Sequence, residues 1–291
     1  MTTIKVNNQV ITIANKSAES FDKESKSLES LALNIKKSIE ALNIVNNVKA
    51  MEVFGYIRTP NLIRGITNGY KALLKNIIKF FFNLAKWCGK MIGTVIAAII
   101  NKIKASNQTT HVSPEEYKQI LENCTKHPVG CNYICEEYMS NNSQNHIFTI
   151  INIVSSIFDD IEDNNFNYTD GIIEINNVSL EDVSAYLGEL TKFVSQDNID
   201  WTANYLCSSS NLTKAANKLR FDIDHLKISS RKAENVLNNR LNKESFEGQE
   251  KTNNTTNILQ RAVDISNGLM NVMNDAIMLL YDVCFNQQIN K

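Results

Sequence analysis

The chain has 291 residues, 43% of them hydrophobic and 21% charged, enough apolar material for one large core or two small ones. Only 3 Pro and 10 Gly occur, too few for the tight turns and phosphate loops of a compact α/β enzyme. The net charge of −1 conceals a segregation: residues 1–52 sum to +1, 53–114 to +9 without a carboxylate, 115–200 to −13 and 201–291 to +2.

In chain order, "TIKVNNQVITI" alternates around Asn7-Asn8 and predicts a short β-hairpin or an extended arm. It has no apolar h-region, so no secretory signal is expected. A helix of roughly 30 residues follows, with Phe21, Leu28, Leu31, Ile35, Leu42 and Val45 at near-heptad spacing and Glu24 and Ser38 interrupting the seam. Pro60 breaks it. A cationic helix over 61–104 comes next, with Gly89 and Gly93 as bend points. Its lysines at 71, 75, 79, 86 and 90 form a stripe on an otherwise apolar cylinder that contains Phe80, Phe81, Phe82 and Trp87. The longest uncharged apolar run, Met91 to Asn101, falls short of the roughly 20 residues a membrane span needs.

A polar linker precedes Ser113-Pro114-Glu115-Glu116, which reads as a capping box with proline at the first helical position. Helices are expected near 114–125, 131–140, 144–161 and 180–195, the last started by Ser179 and Asp182, with a second hairpin in "NYTDGIIEI". The last third carries two stripes stepping by 3 and 4: Leu212 to Leu237, and Ile258 to Val283. They predict two antiparallel helices, each roughly 45 Å long, with residues 17–50 as their cover. The division is therefore 1–58 arm and helix, 59–107 cationic segment, 108–200 acidic helical region with a small hairpin, and 201–291 helical hairpin. The fold class is all-α: long heptad-patterned helices in a bundle or hairpin, with one or two small β-hairpins.

Chemistry-bearing motifs are few. "CTKHPVGCNYIC" gathers Cys124, His127, Cys131 and Cys135, four soft ligands that tetrahedral zinc could use. The spacing is no standard knuckle, and one disulfide or simply free thiols compete, so no bound metal is expected. "DDIEDNNFNYTDG" departs from a calcium loop where Tyr168 stands at the glycine position. No nucleophile elbow, dinucleotide fingerprint, phosphate loop or zincin motif occurs. His225, beside Asp224, is expected at the surface. No cofactor is expected, and the chain does not read as an enzyme.

"NGYKALLKNIIKFFFNLAKWCGKMIG", flanked by heptad-patterned helices, resembles internal or capsid-associated virion proteins of large AT-rich tailed bacteriophages. The resemblance is compositional and covers residues 17–104. It implies a structural role in a virion or the host cytoplasm, with protein partners that include other copies of the chain. It also implies processing after a glutamate such as Glu40 or Glu52, although the apolar residue stands one position before each rather than two. α-Helical pore-forming toxins share the greasy segment between long helices. Three surfaces could meet the cationic stripe of Lys71, Lys75, Lys79, Lys86 and Lys90, with Phe80, Phe81, Phe82 and Trp87: acidic residues of 115–200 in the same or a neighbouring chain, an anionic membrane, or nucleic acid. Nucleic acid fits least, because arginine is scarce and the remainder is apolar.

Overall fold

The computed structural model describes residues 20, 23–42, 60–105, 112–139, 146–163, 167–169, 172–175, 178–192, 194–243 and 249–285. The fold is all-α with one small antiparallel sheet. Helix α1 covers 23–42. α2 (Pro60–Lys90) runs through a π-helical turn (Met91–Ile96) into α3 (Ala97–Ala105). Then come α4 (Pro114–Lys126), α5 (Pro128–Tyr138) and α6 (His146–Asp163). The strands β1 (Asn167–Thr169), β2 (Ile172–Ile175) and β3 (Val178–Ser179) lead into α7 (Leu180–Lys192), α8 (Gln196–Leu206), α9 (Ser209–Lys243) and α10 (Gln249–Phe285).

Local chemistry explains the starts. Ser113 Oγ accepts from Glu116 N at 3.2 Å and Glu116 Oε2 accepts from Ser113 N at 2.8 Å, a complete capping box at α4. Ser179 Oγ takes Asp182 N at α7, and Ser195 Oγ takes Asn198 N at α8. The expected hairpin forms with Tyr168 opposite Ile173, and β3 adds a third strand through Ile175 opposite Val178. The expected N-terminal hairpin lies outside the described residues. The two glycines expected to bend the cationic helix flank and enter the π-turn, where one extra residue per turn displaces the backbone without breaking it.

α10 is the centre of the molecule. From Thr255 to Phe285 every residue is buried or half-buried, and α2, the π-turn, α3, α4, α5, α6, α7 and α9 all touch it. One continuous apolar core joins Leu28 of α1, Phe81 of α2, Phe158 of α6, Leu187 of α7, Leu226 of α9 and Leu269 of α10. Leu219, Leu226, Ile265 and Leu269 are fully buried or nearly so. Replacing Leu269 with Ala should therefore cost about 2–5 kcal/mol in a denaturant titration, because the cavity lies where no side chain can collapse into it. A loss below about 0.5 kcal/mol would mean the stripe faces something other than packed core.

The cover of the C-terminal helices differs from the expectation. The most extensive helix–helix contact joins α2 to α9. α1, expected over α9 and α10, runs antiparallel along α2: Glu24 pairs with Lys90, and Leu42 sits against Gly69. The reason is burial: α2 has more apolar circumference to cover than one neighbour can reach. Glu24, which interrupts the seam of the first helix, is that helix's ion-pair partner to α2.

Candidate interaction surface

Among the described side chains of α2, the exposed positions are Asn68, Lys71, Ala72, Lys75, Lys79, Phe82 and Lys86. At about 100° per residue, Lys71, Lys75, Lys79, Phe82 and Lys86 fall within about 80° of one another. They make a narrow ridge of four ammonium groups with one phenyl ring in its middle, and Phe82 is 50% exposed. Among the described residues no carboxylate pairs with Lys75, Lys79 or Lys86. Lys90 stands at the edge and belongs to Glu24 of α1, with side chains 40% and 33% exposed, a pair of the kind that contributes about 0–1 kcal/mol.

α1 widens the surface. Lys23, Lys26, Lys36 and Lys37 are exposed on it. Leu33, 53% exposed, lies at the level of Lys79 and Phe82, because the antiparallel alignment sets Glu24 by Lys90 and Leu42 by Gly69. Glu29 and Glu40 are exposed on α1 as well, so the face is mixed in charge on α1, cationic along α2, and carries two apolar studs.

Three other aromatics of the cationic helix point the opposite way. Phe80, Phe81 and Trp87 are buried. Phe81 meets Phe80 and Phe158 edge-on, at ring centroid distances of 5.2 and 5.1 Å. They hold the bundle together rather than face a partner. The stretch Asn68–Ala105 is long and apolar enough to cross a membrane by length and composition, but half of its most apolar window is buried inside the fold.

The cysteine–histidine segment does other work. Both ring nitrogens of His127 face carboxylates of α10, Nδ1 to Asp275 and Nε2 to Asp282, each at 3.0 Å. Two acceptors on two ring nitrogens call for a doubly protonated ring. Asp275 Oδ2 also accepts from Gly130 N at 2.8 Å, so it caps α5 where the N-terminal end of the helix favours an anion. The thiols look elsewhere: Cys131 Sγ donates to Cys124 O, and Cys135 Sγ donates to Asn198 O beside Thr202 Oγ1. All six cysteines are free, and burial pushes the Cys135 thiol up to about 11 and that of Cys284 to about 12. Among the described residues no three His, Cys, Asp or Glu side chains converge as a metal site.

Burial alone would lower the His127 pKa, but the hydrogen bonds to Asp275 and Asp282 outweigh it and raise the ring from 6.5 to about 9. A folded pKa above the unfolded one gives stability that is complete below about pH 6.5 and is lost as the pH rises through about 9. The melting temperature should fall across that window by the equivalent of about 3 kcal/mol, and His127→Gln should remove the fall. An unchanged slope in the variant would assign it to other groups.

A second polar constellation lies between α5 and α9. Lys218 Nζ contacts Glu137 Oε2 at 3.2 Å and Asp222 Oδ2, and Tyr133 donates to Asp222 Oδ2 at 2.7 Å. The side chains of Lys218, Glu137 and Asp222 are 19%, 3% and 0% exposed. Burial raises both carboxyls above their usual range, against the pull of Lys218. At its edge His225, expected at the surface, is half-buried, with its ring 4.9 Å from Phe148 and 4.3 Å from Phe221. This cluster ties two helices together with one cation between two anions.

No protein-family model, curated protein or solved structure matches the chain.

Proposed function

We propose that the protein is a non-enzymatic structural and interaction subunit of a larger assembly, engaging an acidic protein surface through the α1–α2 face. The observation that supports this reading is the division of labour on α2. Its apolar aromatics pack inward on α9 and α6, while Lys75, Lys79 and Lys86 stand outward without counter-ions among the described residues. The resemblance to phage internal proteins makes a virion the natural setting.

Membrane association is the second reading, favoured by the composition of Asn68–Ala105. To embed Phe80, Phe81 and Trp87 in lipid the protein would have to extract them from its own core, at about 1.5–3 kcal/mol for each buried aromatic. Protein contact needs no such opening.

Two probes separate the readings. Full-length protein at low salt should bind poly-L-glutamate. Lys75→Glu/Lys79→Glu should abolish that binding, whereas the same charge change at exposed Lys214 and Arg220 should leave it. At about 0.15 M salt, where screening acts within about 8 Å, vesicles rich in anionic lipid should not carry the protein upward in flotation. Flotation that Lys75→Glu/Lys79→Glu leaves intact and Phe80→Asp abolishes would install the membrane reading instead.

A further inference from the structure

Resting on the interaction reading above, we infer that the partner of the lysine ridge is the acidic C-terminal end of α6 in a second copy of the chain, so that copies join head to tail. The last turn of α6 reads Asp159, Asp160, Ile161, Glu162, Asp163, with no basic residue in it. Four carboxylates at a helix C-terminus have the wrong sign for the macrodipole, which is already negative there. The chain supplies two cations of its own: Lys232 pairs with Asp159, and Arg240 donates to Ile161 O at 3.2 Å. Asp160, Glu162 and Asp163 keep no cation among the described residues, and Glu162 and Asp163 are exposed. Burial and then the crowding of Asp159 and Asp163 hold the Asp160 carboxyl above its usual range.

Among the described residues, one molecule therefore leaves Lys75, Lys79 and Lys86 of the ridge without a carboxylate and Asp160, Glu162 and Asp163 of the α6 end without a cation. They cannot meet within the chain. Phe158, next to Asp159, packs on Phe81, and Phe81 lies about 120° around α2 from the centre of the ridge. The acidic end thus sits on the core side of α2 while the ridge faces out. Two complementary patches on different sides of one molecule make a heterologous contact, which propagates into a ring or an open chain rather than closing as a symmetric dimer. Phe82, in the middle of the ridge, gives the contact an apolar centre.

Sedimentation velocity on the full-length protein tests this. In about 0.05 M salt the wild type should form species larger than a dimer that grow with concentration, and about 0.5 M salt should disperse them. Lys75→Glu/Lys79→Glu and Asp160→Lys/Asp163→Lys should each sediment as monomers with unchanged circular dichroism, and the milder Lys75→Gln/Lys79→Gln should weaken association in the same direction. An equimolar mixture of the two charge-reversed proteins should again give species larger than a dimer, since the native ridge of one meets the native acidic end of the other and the reversed patches are complementary in turn. A wild type that stays monomeric at low salt, association that persists in either charge-reversed variant, or no association in the mixture overturns the proposal. If poly-L-glutamate still binds wild type and not Lys75→Glu/Lys79→Glu, only the identity of the partner has failed. If that binding is absent too, the interaction reading falls with it.

Discussion

Gly130→Ala should destabilise the protein by about 1–3 kcal/mol or more, although alanine is the better helix former. Intrinsic propensity alone would favour the change by about 1 kcal/mol. Against it, a Cβ at position 130 would sit 2.9 Å from Ala276 Cα and 2.9 Å from Asp275 O. Both are backbone atoms of the central helix, which cannot rotate away as a side-chain tip could. Overpacking of this kind typically costs about 1–3 kcal/mol and sometimes more. Retreat would also lengthen the Gly130 N to Asp275 contact and loosen the His127 clamp built on the same carboxylate. Gly188→Ala supplies the contrast. It lies within α7 with nothing within 4 Å of a built Cβ, and should gain about 0.5–1 kcal/mol. Chemical denaturation of both proteins checks the pair: a gain at 130 would mean α5 and α10 are further apart than described.

The other large effect is expected at Lys218. Lys218→Met leaves Glu137 and Asp222 buried with no cation between them, and removal of one partner from a buried ionic group costs about 3–5 kcal/mol. Both carboxyls are already raised by burial. Without the ammonium they move higher still, so the variant should lose stability more steeply as pH rises. Replacing the whole cluster, with Tyr133→Phe, Glu137→Leu, Lys218→Met and Asp222→Leu together, should recover most of the loss, because no buried group is then left without its partner. Thermal melts of the single and quadruple variants at two pH values decide it. A Lys218→Met protein as stable as wild type would show that the cluster is hydrated rather than dry.

The stripes of α9 and α10 were legible because 3- and 4-residue steps of Leu, Ile, Val and Ala survive in any environment; all sixteen stripe positions from Leu212 to Leu237 and from Ile258 to Val283 are buried. What they could not reveal is that from Thr255 on the opposite face of α10 is half-buried rather than exposed. Thr255, Thr256 and Ser266 are buried beside the stripe, and in sequence such residues look like solvent positions. The start of α4 was legible to the residue, since the capping box is local chemistry. α8 was missed: "QDNIDWTANYL" has little apolar periodicity, and its one signal was Ser195 three residues before Asn198. The lysine row could be read from spacing alone, but which aromatics share its face could not. Phe82 differs from Phe80 and Phe81 only in helical phase. The polar constellations stayed hidden because their members lie far apart. His127 and Asp282 are 155 residues apart, Tyr133 and Asp222 are 89, and Lys218 with Asp222 has the i, i+4 spacing of any surface ion pair.

The position of α10 in the chain sets the order in which the protein can be made. The helix that α2 to α7 and α9 all touch is translated after every one of them. Until it emerges, the faces of α4, α5 and α7 that pack on α10 stay uncovered, whereas α2 already has α6 and α9 to lie against. Domains that fold as they emerge rely on contacts made early, and this chain makes its decisive contacts last. Completion of the core waits on contacts between distant parts of the sequence, and closure over such separations slows folding.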